Sequence, residues 1–108
     1  MKKLIAIAAL MCGTAHAEFF SGNELLRRMN SGDAYERGSA FGYILGTHDT
    51  GRNAAHCSPE EVTAGQVRDM VKAHLDSNPE TRHMSADSHI MYVLKKVWPC
   101  KKSTGASL

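Results

Sequence analysis

The chain has 108 residues, 13 basic and 11 acidic side chains, and three cysteines, with 43% hydrophobic and 22% charged residues. Those proportions suit one small globular domain. No stretch approaches the roughly 20 apolar residues of a spanning helix. Lys2 and Lys3, the apolar run 4–11 and Ala15-His16-Ala17 before Glu18 form the layout of a secretory signal peptide, so residues 1–17 are expected to be cut off after Ala17 and the rest to enter the periplasm. Lipidation at Cys12 is disfavoured, because Met11 occupies the position where lipoprotein processing requires a small residue.

Cleavage removes Lys2 and Lys3, which leaves 11 basic residues against 11 acidic ones. A neutral mature domain has no charge excess to drive binding to nucleic acid or an anionic membrane surface. The 91 residues that remain, 18–108, bury a modest core and call for a staple. Cys57 and Cys100 are the two cysteines left, and in an oxidising compartment they are expected to form one disulfide.

In chain order, the first expected element is a short helix capped by Ser21 or Asn23, with Leu25, Leu26 and Met29 on its apolar face and Ser31-Gly32 at its end. A second starts at Asp33, in a capping-box arrangement with Glu36, and runs to about Arg52 with Phe41, Ile44, Leu45 and His48 inward. Gly42 and Gly46 put a flat strip on that helix. Within a soluble chain such a strip more often packs against another helix than forms a dimer seam, and Tyr43 beside it fits either the core or an interface. Residues 51–62, with Gly51-Arg52-Asn53 and His56-Cys57-Ser58-Pro59, read as a loop.

Thr63 and Gln66 then form a capping box for a third helix, whose Val67, Met70, Val71, His74 and Leu75 share one face. Asn78-Pro79 stops it, because proline cannot continue the hydrogen-bond ladder. Arg82 in the following turn binds a carboxylate, caps carbonyls or meets a partner, with a structural use the safer reading. Ser85 is expected to cap a last helix with Ala86, Ile90, Val93, Leu94 and Val97 inward, ending at Trp98-Pro99-Cys100. Residues 101–108 read as a flexible tail. The expected fold is all-α, a small four-helix domain with one disulfide.

Five mature histidines raise the question of metal. His83-Met84 with His89 and Met91 suggests copper, but His83 and His89 are six apart, not the three or four that a helical pair needs. His48, Asp49, His56 and Cys57 could be drawn as a zinc site, yet Cys57 has a better use in the disulfide. His56 beside Cys57 is no nucleophile-base pair for the same reason, and there is no nucleophile elbow, phosphate loop or carboxylate pair. No metal, cofactor or catalytic residue is expected.

Read together, Gly42-Tyr43-Ile44-x-Gly46-x-x-Asp49, Cys57-x-Pro59, Val62-Thr63-x-Gly65-Gln66-Val67, Asn78-Pro79-Glu80-x-Arg82-His83-x-Ser85-Ala86 and Pro99-Cys100 resemble the Tai-type immunity proteins of type VI secretion amidase effectors. The likeness covers about residues 22–100. It implies an immunity-like helical domain over residues 18–100, often a homodimer, that binds and blocks a peptidoglycan amidase and has no chemistry of its own. The loop near residues 51–61 is then the candidate blocking surface, with Arg52, Asn53, His56, Ser58 and Glu60 as partner contacts. The chain departs from the resemblance at Met29 and Ala40, where members commonly carry a second cysteine pair, and that loss is expected to loosen the tie between the first two helices. The competing expectation is a small periplasmic acid-stress chaperone. The histidines would become charged below about pH 6 under either reading.

Overall fold

The computed structural model describes residues 20–101, so the expected signal peptide and nearly all of the expected tail lie outside the described residues. The four expected helices are present: α1, Gly22–Met29; α2, Ala34–Gly51; α3, Ala64–Ser77; and α4, Ala86–Val97, with one 3-10 turn at Pro79–Thr81. Among the described residues the only extended pairings are isolated bridges, Ser21 with Ser85 and Arg52 with His56. Every pair of helices is in contact. The shared core is Leu25, Leu26, Ala40, Ile44, Val67, Val71, Leu75, Ala86, Ile90 and Leu94.

Ser21, not Asn23, caps α1, accepting from the backbone N–H of Glu24. The capping box of α3 forms as the sequence predicts, with Thr63 and Gln66 each accepting from the other's backbone N–H. That of α2 does not. Asp33 accepts from Tyr35 instead, and the Glu36 carboxylate is held by Arg27 and Ser31. Ser85 stands at the start of α4 without a side-chain cap, and its hydroxyl donates to that of Ser88.

The inner face of α2 also differs from expectation. Ala40, Ile44 and Gly51 are buried, whereas Phe41, Leu45 and His48 lie at the margin. Apolar residues ring this helix, so periodicity could not select its face; a close approach did. A Cβ at Gly51 would collide with Met91 of α4 and sit 3.2 Å from the His56 ring. On the other side, Cβ atoms at Gly42 and Gly46 would meet nothing within 4 Å, so the strip expected to pack within the chain is uncovered. Tyr43 is partly buried and stacks on Phe20 with ring centroids 5.0 Å apart. Val97, expected inward, is 48% exposed, and Trp98 packs against the core in its place.

Polar contacts tie α1 to α2 where the disulfide suggested by the resemblance is missing. Glu24 binds Arg27 and Arg28, Arg27 also reaches Glu36, and Arg28 donates to Ser39. Hydrogen bonds from Arg27 and Arg28 hold the Glu24 carboxyl down at about 2. Met29 packs against the core and Ala40 is fully buried within it.

At the opposite end of α1, Gly22 donates to the carbonyl of Met84 and Asn23 to that of Arg82. A Cβ at Gly22 would lie 2.6 Å from the Arg82 oxygen and 2.9 Å from the His89 ring. The nearest obstacle is backbone, which cannot swing aside. Gly22→Ala is therefore expected to lower stability by about 1–3 kcal/mol, read as a lower urea midpoint with an unchanged slope.

Candidate functional site

The segment after α2 is built around the carbonyls that a helix leaves unpaired at its C-terminus. The Gly51 oxygen accepts from the N–H groups of Ala54, Ala55 and His56, and Asn53 donates to the His56 oxygen. Asn53 sits at φ 64, a left-handed conformation that asparagine tolerates better than most residues. From the other side the disulfide Cys57–Cys100 closes across 43 residues, and the Cys57 N–H donates to the carbonyl of Trp98. The loop is thus stapled to the end of α4.

Two buried side chains fill its underside. His56, 0% exposed, donates from Nε2 to the His48 carbonyl, 2.8 Å, and its Nδ1 faces the Ser58 N–H at 3.4 Å. The two contacts fit the tautomer with its proton on Nε2, which leaves Nδ1 to accept from Ser58. Ser58, 4% exposed, meets His48 Nε2 at 2.8 Å, while His48 Nδ1 lies 3.0 Å from the Asp49 carboxylate. Hydroxyl, imidazole and carboxylate stand in the order of a hydrolase relay. Here the hydroxyl is buried and engaged, so the trio acts as a latch between α2 and the loop.

Of the five residues expected to touch a partner, Arg52, Asn53 and Glu60 reach the surface, while His56 and Ser58 hold the loop from inside. Arg52 is weakly satisfied. Its Nε is buried without a partner and its guanidinium lies 3.9 Å from Glu60. Cys57 is taken by the disulfide, and His48, Asp49 and His56 by these hydrogen bonds. Among the described residues no three His, Cys, Asp or Glu side chains are placed to hold a metal ion.

A family model described as Rap1a immunity proteins matches residues 21–100. The chain belongs to the Rap1a immunity protein family. No curated protein matches it. The matched span runs from the Ser21 cap through Cys100, so in this Rap1a-family protein the stapled loop lies inside the family domain. An immunity protein acts by binding, which accords with the absence of catalytic chemistry expected from the sequence.

Sequence reading missed a second cluster. His74 of α3 and His89 of α4, fifteen residues apart, meet with Nε2 and Nδ1 3.0 Å apart. Asn78 lies 3.2 Å from His74 Nδ1, and His89 Nε2 donates to the Thr81 carbonyl at 2.8 Å. The pair floors a cleft of about 380 Å³ whose rim carries Met84, Tyr92, Glu80 and Lys96. Sequence gave no cue beyond the placement of His74 on the inner face of α3. Arg82, left open earlier, caps carbonyls: its Nε donates to Leu75 O at 2.8 Å and a terminal nitrogen to Asp76 O.

Burial, followed by the nearby His89 and Lys96, pushes the His74 pKa below its ordinary 6.5, with Glu80 opposing. A lowered folded-state pKa means that the unfolded chain binds the proton more readily, so stability is full above about 6.5 and is lost as pH falls through the folded value. Urea midpoints are expected to fall between neutral and mildly acidic pH, and to fall less in His74→Gln. An equal fall in both proteins would remove His74 as the cause. Glu24 titrates well below that window.

Proposed function

We propose that this protein is a periplasmic immunity protein that binds a type VI secreted peptidoglycan amidase and blocks its cleft with the loop after α2. Membership of the Rap1a immunity protein family supports the class. The observation that carries the mode of action is the stapled loop, fixed by Cys57–Cys100, His56 and Ser58, with Arg52, Asn53 and Glu60 left outside. A preorganised loop loses little ordering entropy on binding. The loosely paired Arg52 suits a contact residue, since an unpaired buried donor costs about 1–3 kcal/mol and adds no stability. The signal-like leader and the disulfide support the periplasm as the place of action.

The test is hydrolysis of purified peptidoglycan by candidate type VI amidases, with and without the mature protein. Inhibition is expected, and Arg52→Ala combined with Asn53→Ala should weaken it by about 10–100-fold. Failure to inhibit or bind any amidase, together with protection of client proteins from aggregation in acid, would replace this reading with the acid-stress chaperone.

A further inference from the structure

A second groove, of about 410 Å³, lies between α1, α2 and α3 and is lined by Met29, Arg37, Gly38, Phe41, Arg68 and Lys72. Its floor is apolar. Met29 packs on the core, and Phe41 lies beneath the Arg68 guanidinium, 5.6 Å from the ring centroid. A Cβ at Gly38 would meet nothing within 4 Å, so the groove is open at that point. Three cations and no carboxylate line it.

Those cations retain unused donors. Arg68 Nε is paired with Asp69 and Lys72 with Asp76, both neighbours on α3, which leaves the terminal nitrogens of Arg68 and part of the Lys72 ammonium available. Arg37 donates to the Ser31 carbonyl, and no carboxylate is recorded within 4.0 Å of it among the described residues. The patch is a local concentration of charge, because the domain after the leader is neutral.

We infer that this groove docks an acidic protein segment, with carboxylates facing Arg37, Arg68 and Lys72 and an apolar side chain resting on Phe41 and Met29. Charge complementarity requires an anionic occupant, and the apolar floor disfavours a bare anion. Recognition of an anionic lipid surface takes clusters of about 4–8 basic residues, more than this groove presents. Gly38 and Gly51 are thirteen residues apart on α2, or about 20 Å along the axis, so the groove and the stapled loop lie toward opposite ends of that helix. That the segment belongs to an amidase rests on the function proposed above; the chemistry of the groove does not.

The experiment is an amide NMR titration of the full mature protein with the synthetic peptide acetyl-Asp-Phe-Glu-Leu-Asp-amide and with its Asn/Gln analogue. Saturable shifts at Met29, Gly38, Phe41 and Arg68 are expected from the acidic peptide alone, weakened by salt and lost in Arg37→Glu combined with Arg68→Glu. Both arginines are exposed, so the variant should fold; Arg68→Gln is the milder substitute. Absence of shifts, shifts elsewhere, or retention on phosphatidylglycerol vesicles without a peptide response would overturn the inference. With the amidase in hand, the double reversal should weaken inhibition about tenfold, and an unchanged inhibition would overturn the assignment of the segment to the amidase. If the groove binds the peptide but the wild-type protein inhibits no amidase, the amidase reading falls and the acidic-segment site stands.

Discussion

Replacing both Cys57 and Cys100 by serine should lower the free energy of unfolding by about 4 kcal/mol, the chain-entropy value for a closed loop of 43 residues. Cys57 is exposed and Cys100 partly so; serine leaves no core cavity at either position, and the loss comes chiefly from the unfolded chain. For a domain of this size that is much of the total stability. Denaturant unfolding of the oxidised, reduced and double-serine proteins provides the check. Equal midpoints would show that the bridge adds nothing. The same variant should inhibit its target less strongly, because the loop would lose its tie to the end of α4.

His56→Ala should cost roughly 2–4 kcal/mol, combining a cavity at a fully buried site with two orphaned polar groups. The His48 carbonyl, in the last turn of α2, would lose the donor that replaces its helical partner, and the Ser58 N–H would face the cavity. Hydrogen exchange should quicken at residues 53–58 well before the helices respond, which distinguishes loosening of the loop from loss of the fold. If exchange rose evenly over the chain, His56 would be a general core residue and the latch description would fail. Arg52→Ala gives the contrast, with a small effect on stability and a large one on inhibition.

Legibility in the sequence followed the range of the physics. The Thr63–Gln66 box, the Asn78-Pro79 stop and the stripe Val67, Val71, Leu75 depend on residues within a turn or two of one another, and all stand where the sequence predicts. The Cys57–Cys100 pairing needed only a count of cysteines, because the expected removal of the leader would take Cys12 with it and leave one possible pair. The loop after α2 was legible as a segment, but which of its side chains are buried was not. His56 and Ser58 look as polar in sequence as Arg52 and Asn53, and only the carbonyls and amides around them decide which are drawn inward.

By itself, then, the sequence determined the helical class, the helix boundaries set by caps and proline, the staple, and the motif series that leads to the immunity family. Tertiary structure alone decided the inner face of α2, the latch under the loop, the His74–His89 pair and the basic groove. The reason is distance along the chain. Gly51 meets Met91, His74 meets His89, and Arg37 and Arg68 line one groove, juxtapositions across 15 to 40 residues that no local periodicity encodes.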